Sequence, residues 1–96
     1  ITMAISENTW VVLSGQFRFQ WEEAQQCYVL LYPEGMVQLN PSAGEILSRC
    51  QQQTTIADVI SDLQNSFVEA DPKALAADVV EFIHEANDQG WLDLKN

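Results

Sequence analysis

The sequence has few of the residues from which catalytic and metal-binding sites are usually built. It contains one histidine, His84, and two widely separated cysteines, Cys27 and Cys50, with no CxxC pair. That pattern predicts neither a zinc site nor a disulfide framework, so we expect reduced thiols. The motifs of metalloproteases, serine hydrolases and phosphate-binding loops are also missing. The sequence therefore predicts a protein that is not an enzyme.

Positive charge is scarce as well. Four lysines and arginines stand against 14 acidic residues, which gives a formal net charge of −10, and the four cations are scattered along the chain. Proteins that bind nucleic acid need a clustered basic surface, so we expect no nucleic-acid partner. The acidic surface serves solubility or attracts a basic segment of a partner, and both interpretations stay open.

Long apolar runs are missing too. No segment approaches the roughly 20 apolar residues that span a bilayer, and no basic region followed by an apolar stretch opens the chain. We expect no membrane association and a soluble, cytoplasmic protein. A chain of 96 residues is long enough for one domain whose core needs no disulfide or metal.

The first 15 residues read as a separate segment. Residues 1–9 are polar without any period, and the short apolar run Trp10–Leu13 is stopped by Ser14 and Gly15. We therefore expect an N-terminal arm over residues 1–15, with Trp10–Leu13 as an edge strand or a packing segment. Residues 16–96 form the predicted folded domain.

Three strands are predicted at the start of this domain. Residues 17–22 alternate aromatic and polar side chains, which is typical of a half-buried strand. Cys27–Tyr32 is apolar on both faces and forms the second predicted strand. Because proline cannot donate to a strand ladder, residues 33–35 (Pro-Glu-Gly) predict a turn into a third strand over residues 36–39.

Capping residues mark three helices. Asn40-Pro41 predicts the start of a first helix that runs to about residue 50, Thr55 caps a second, and Asp71-Pro72 begins a third that Gly90 ends. Strands followed by helices indicate an α+β fold, in which a small antiparallel three-stranded sheet precedes three helices. This order has the outline of a winged helix.

The third helix has a wider apolar arc than one core contact requires. Its apolar residues spread over about 160°. The apolar residues of the second helix spread over only about 100°, which one core contact would cover; they are Ile56, Val59, Ile60, Leu63 and Phe67. Two interpretations stay open. Either the helix packs between two neighbours, or one apolar flank, with the acidic residues Asp78, Glu81 and Glu85 beside it, lines a groove.

An edge of the small sheet supplies a second candidate wall. Unpaired strand edges accept extended peptides as added strands. Four or five added hydrogen bonds at about 1 kcal/mol each do not offset the ordering of five peptide residues at about 1–2 kcal/mol each. Peptide binding therefore requires apolar pockets, and we expect the strand edge and the helix flank to act together.

The motifs in these segments resemble the PqqD family of pyrroloquinoline quinone (PQQ) biosynthesis. The resemblance covers about residues 16–93, and three stretches carry it: YVLLYPEGMVQLNPSAGEIL, TIADVISDLQNSF and DVVEFIHEANDQGWL. The chain departs from the family after the first helix, where Cys50-Gln51-Gln52 replaces the usual Cys-Asp-Gly or Val-Asp-Gly.

The resemblance implies a winged-helix-like recognition element for ribosomally synthesised, modified peptides. Such a protein is a non-catalytic chaperone that binds the precursor peptide by strand addition and presents it to a radical S-adenosylmethionine (SAM) enzyme. Iron–sulfur cluster and cofactor belong to that enzyme, so no cofactor is expected here. The implied peptide-binding residues lie on the third strand and the third helix: Met36, Val37, Gln38, Leu39, Asp78, Val79, Phe82 and Ile83.

Three other arrangements stay open at this point. A homodimer can form if Cys27–Tyr32 pairs or packs against a second copy. A scaffolding subunit would bind only the modifying enzyme, through its acidic surface. A DNA-binding winged helix has the same outline, but the charge of the chain opposes it.

Overall fold

The computed structural model describes residues 6–95, which form two three-stranded antiparallel sheets and three helices. The predicted α+β class is confirmed. Within these residues no helix has the length and apolar content needed to cross a membrane. The elements, in chain order, are β1 (Trp10–Leu13), β2 (Arg18–Glu22), β3 (Cys27–Tyr32), β4 (Gly35–Gln38), α1 (Pro41–Ser48), β5 (Thr54–Thr55), α2 (Ile56–Ser66), α3 (Pro72–Asp88) and β6 (Leu92–Lys95).

The predicted three-stranded sheet has the order β2-β3-β4. Leu30 lies opposite Phe19 on one side and Val37 on the other, and its side chain is fully buried. Because both edges of β3 are already paired, a dimer cannot form by strand pairing through Cys27–Tyr32. β4 is an outer strand of this sheet.

The second sheet, β5-β1-β6, was not predicted. Its middle strand is β1, and Trp10 lies opposite both Thr55 and Lys95. Thr9 is fully buried, and its carbonyl oxygen accepts a hydrogen bond from the Ile56 amide at 3.0 Å. The described part of the expected arm, residues 6–15, is therefore packed into the domain, and residues 1–5 lie outside the described residues. Trp10–Leu13 is a central strand rather than an edge strand.

All three predicted helix starts are confirmed by side-chain caps. The side-chain oxygen of Asn40 accepts from the Ala43 amide at 2.8 Å, and that of Thr55 accepts from the Asp58 amide at 3.2 Å. Asp71 caps α3, and Gly90 follows its end with a φ of 81°, a left-handed conformation that glycine adopts without strain. The first helix ends at Ser48, slightly earlier than expected.

A single core joins the helices to both sheets. It includes Leu30 from β3, Leu47 from α1, Ile83 from α3 and Leu92 from β6, all of them fully buried. The approach of α1 to β3 is close, because a Cβ atom added at Gly44 would lie 2.7 Å from Cδ2 of Tyr28. This contact packs α1 against β3, and in the chain only Leu39 and Asn40 separate α1 from the end of β4.

Candidate functional site

The outer strand β4 forms the first wall of the candidate site. Among residues 6–95 it pairs only with β3, through Met36 opposite Leu31 and Val37 opposite Leu30. Met36 is 44% exposed, and Val37 is half-buried against the core. The exposed Gln38 side chain donates to Oε1 of Gln25 at 3.3 Å. The other edge of β4 is therefore open to an added strand.

The second wall is α3. Only some of the apolar residues of this helix are buried. The helix buries a line of residues, and half-buried apolar residues flank this line on both sides. Because successive residues turn by about 100°, the two flanks face different neighbours. Both sequence interpretations therefore hold in part, since α3 packs centrally and still has partly open flanks. The line is Val79, Ile83 and Ala86; Leu75 and Phe82 flank it on one side, and Ala76 and Val80 on the other.

The predicted site residues fall into three groups by exposure. Both walls contribute residues to the same core cluster, so that β4 and α3 belong to one packed body. The buried residues belong to the core, and the other residues are partly or fully accessible to a ligand. Met36, Gln38 and Asp78 are exposed, Val37 and Phe82 are half-buried, and Leu39, Val79 and Ile83 are buried.

An apolar cavity of about 470 Å³ opens next to this region, and we call it the first groove. It lies between the start of α1, the end of α2 and the first half of α3. Asp78 and Val79 line it, which connects it to the predicted site. Its apolar lining includes Pro41, Ile46, Leu63, Phe67, Ala70, Ala74, Leu75 and Val79, and its acidic residues are Glu45, Asp71 and Asp78.

Phe67 is the groove residue that the sequence pattern misplaced. Helical spacing assigned it to the core face of α2, together with Leu63. The helix ends at Ser66, however, and Phe67 has the non-helical angles φ −119° and ψ 65°. Its ring therefore leaves the helical path and stays 42% exposed in the groove, whereas Leu63 is buried.

The charges around the first groove are mostly uncompensated acids. Both ion pairs among residues 6–95 involve Arg49, which contacts Glu45 at 3.0 Å and also Asp62. Burial disfavours the Arg49 guanidinium, but these two carboxylates outweigh that effect and raise the pKa of Arg49. Within the described part of the chain, Asp71 and Asp78 have no such cation. The groove therefore favours an apolar ligand that carries positive charge.

The cysteines do not contribute a reactive or metal-binding group to this groove. Both are free thiols, of which Cys27 is half-buried and Cys50 is buried. Burial raises the pKa of Cys50 to about 12, although the charge of Arg49 lowers it in part. The Cys50 Sγ donates to the Ile46 carbonyl oxygen at 3.4 Å. Across residues 6–95, no group of three His, Cys, Asp or Glu side chains could hold a metal ion.

Comparison with known proteins gives consistent matches. The family described as coenzyme PQQ synthesis protein D (PqqD) matches residues 27–92. A protein of Azotobacter vinelandii named PqqA binding protein is 47% identical over 78 residues, which cover 81% of this chain and 83% of the relative. A protein of the same name from Acinetobacter baylyi is 42% identical over 95 residues, with 99% and 94% of the two chains covered.

A solved structure has the same fold. It is the solution NMR structure of the PqqD truncation of Methylobacterium extorquens PqqCD, which is described as a functional, stand-alone recognition element for ribosomally synthesised and post-translationally modified peptides. The TM-score is 0.75 at 23% sequence identity, and the match covers 94% of this chain and 95% of the other. At this identity the likeness concerns the fold.

Proposed function

The chain belongs to the PqqD family, and from this premise we propose that it is a non-catalytic chaperone that binds PqqA, the precursor peptide of pyrroloquinoline quinone. Relatives that bear the name PqqA binding protein match this chain over most of their length. In the same proposal the chain presents the bound peptide to a radical SAM enzyme. The peptide is the substrate of that enzyme, and this chain supplies binding and orientation.

The observation that carries the proposal is the open edge of β4, whose last residue, Gln38, stands three positions before Pro41 of the first groove. A peptide added to this edge forms backbone hydrogen bonds with β4, and its alternate side chains face α3. Met36, Val37 and Gln38 offer the backbone, and in this proposal Phe82 and Asp78 of α3 contact the side chains of the peptide. Leu39, Val79 and Ile83 support the two walls from the core.

The first groove supplies the affinity that the backbone ladder lacks. Burial of one leucine-sized side chain contributes about 1.5–3 kcal/mol. A volume of about 470 Å³ is sufficient for more than one such side chain. Two or three anchored side chains would contribute about 3–9 kcal/mol, compared with the roughly 8 kcal/mol that micromolar binding requires. We therefore place the apolar anchors of the peptide against Phe67 and Leu75.

An NMR titration with the PqqA peptide tests this proposal. We expect the backbone amides of residues 36–39 and those of the first half of α3 to shift, because a strand adds to one and packs against the other. A peptide of scrambled order serves as the control and should cause smaller shifts at these positions. Shifts confined to β1 and β6, or equal shifts with the scrambled peptide, would count against the proposed site.

A further inference from the structure

A second groove lies on the other flank of α3, where this helix meets α2. Its volume is about 670 Å³, and it is a shallow groove that is largely open to solvent. Apolar side chains form its floor: Ile60 of α2, only 5% exposed, and Ala76, Ala77 and Val80 of α3. No residue that lines the second groove also lines the first groove. The two surfaces can therefore be occupied at the same time.

The rim of the second groove is strongly acidic. Glu7 contributes from the segment before β1, and Glu81, Glu85 and Asp88 contribute from α3, where the exposed side chain of His84 lies among them. Both ion pairs among the described residues are made by Arg49, which lines neither groove. The four carboxylates therefore have no salt-bridge partner within residues 6–95.

This arrangement of charge is unfavourable for the free protein. Glu81 and Glu85 are one helical turn apart, a spacing at which like charges repel. Asp88 is the last residue of α3, where the helix dipole already places partial negative charge, and the last turn has no basic residue. A bound cation would relieve both effects, so the rim is complementary to a positively charged occupant.

We propose that the second groove is a docking surface for a basic amphipathic helix of a protein partner. The small side chains of Ala76 and Ala77 let a helix approach closely, and its apolar row would cover Val80 and Ile60. Lysines or arginines on its flanks would reach Glu81, Glu85 and Glu7. From Ala76 to Asp88 the groove is about 18 Å long at 1.5 Å per residue, which accommodates about three turns of the partner helix.

This occupant follows from the combination of floor and rim. A nucleic acid would be repelled by the acidic rim, and a small cation would leave the apolar floor uncovered. The inference does not depend on the identity of the peptide in the first groove. If both proposals hold, the chain can hold a peptide on one flank of α3 and a partner protein on the other.

An NMR titration with a designed probe tests the docking surface. The probe is a synthetic 18-residue helix with leucine at helical spacing on one face and lysine on its flanks. We expect it to shift the amides of Ile60, Ala76, Ala77 and Val80, with weaker binding at higher salt. Shifts spread evenly over the acidic surface, or confined to the first groove, would overturn the proposal.

Charge-neutralising variants distinguish binding of the probe by this acidic rim from attraction to the net negative charge of the protein. Replacement of Glu81 and Glu85 by glutamine should weaken probe binding at least tenfold. The control pair Glu34→Gln with Glu69→Gln removes the same charge from exposed residues that line neither groove. It should change the affinity less than threefold. Equal losses in the two double variants would mean that only the net charge matters, and this would overturn the proposal.

Two further variants test the apolar floor of the second groove and the like-charge repulsion along its rim. Ala77→Gln fills the second groove without any change of charge and should weaken the probe, whereas Ala24→Gln, at an exposed residue that lines neither groove, should not. Glu85→Gln should raise the midpoint of thermal unfolding by about 1–4 °C, because it removes a like-charge repulsion. Undiminished probe binding by Ala77→Gln, or a lower midpoint for Glu85→Gln, would contradict the proposal.

Discussion

At the scale of single residues, Cys50 shows how position determines chemistry. Its side chain is fully buried two residues after the end of α1, and its thiol donates to the carbonyl oxygen of Ile46 in that helix. Loss of solvation disfavours the thiolate and raises the pKa to about 12, from an ordinary value of 9.0. The neutral thiol therefore behaves as a small apolar residue of the core.

This shift predicts a stability change in alkaline solution. Above pH 9 the thiol of the unfolded chain loses its proton, whereas the buried thiol of the folded protein keeps it until about pH 12. The free energy of unfolding should therefore decrease as pH rises from 9 toward 12, by up to about 1.4 kcal/mol per pH unit from this group. Urea unfolding at pH 7, 9 and 10 measures the decrease.

The variant Cys50→Ala isolates this contribution from those of other groups that titrate in the same range. It should be less stable than the parent at pH 7, because it leaves a small cavity. The difference between the two proteins should then narrow by pH 10, since the variant has no thiol to ionise. A difference that stays constant with pH would show that the Cys50 thiol does not carry the effect.

At the scale of elements, the helices and the small sheet follow from local sequence. Each helix begins with a capping side chain that accepts a hydrogen bond from an amide at most three residues later, so a short segment of sequence is enough to predict the helix start. The capping residues are Asn40, Thr55 and Asp71. The alternation of aromatic and polar residues in β2 is likewise visible in a short segment of sequence. Phe67 shows the limit of such local prediction, because the apolar period of α2 includes this residue although the helix ends at Ser66.

The position of Phe67 leads to a prediction for peptide binding. Phe67→Ala removes an apolar wall of the first groove, and we expect PqqA binding to weaken about tenfold or more. Since the ring is 42% exposed, the loss of folding stability should be well below the 3–5 kcal/mol typical of a buried phenylalanine. Isothermal titration calorimetry measures the first effect, and urea unfolding measures the second.

The neighbouring residue gives a matched control. Val68 is 78% exposed and does not line the first groove. Val68→Ala should therefore leave peptide affinity within about twofold of the parent. Equal affinities for Phe67→Ala and the parent would remove this groove from the proposed site and leave the β4 edge as the remaining candidate.

Sheet β5-β1-β6 could not be predicted, because its pairs are distant in sequence. Val11 lies opposite Thr54 on one side and Leu94 on the other. Each of the three strands has two to four residues, which is too short for a periodic pattern. The burial of the predicted site residues also depends on contacts distant in sequence. The sequence shows that Val79 and Ile83 are apolar, but only the fold shows that both are buried.

At the scale of the whole molecule, the segment before β2 completes the fold. Val11 is fully buried in the core, and β1 is the strand that joins β5 to β6. The carbonyl oxygens of Glu7 and Thr9 also accept from the amides of Ala57 and Ile56, at the start of α2. The boundary drawn from sequence, between residues 15 and 16, therefore lies between segments that contact each other in the core, and we propose that residues 16–96 depend on these contacts to fold.

Removal of residues 1–15 tests this dependence. The shortened chain loses the buried Val11 and exposes the paired edges of β5 and β6, so we expect the midpoint of thermal unfolding to fall by at least about 15 °C. Circular dichroism measures the change. A peptide of residues 6–15 added in excess should restore part of the loss. An unchanged midpoint would mean that residues 16–96 fold independently.

The pairing of β1 with β6 also bears on the order in which the chain folds. Trp10 lies opposite Lys95, so this ladder closes a loop that contains nearly all the described residues. The hairpins β2-β3 and β3-β4 close much shorter loops and cost less chain entropy. Contacts of long sequence separation slow folding. We therefore expect the β4 edge and its hairpin to form early, and the joining of β1 to β6 to be a late step of folding.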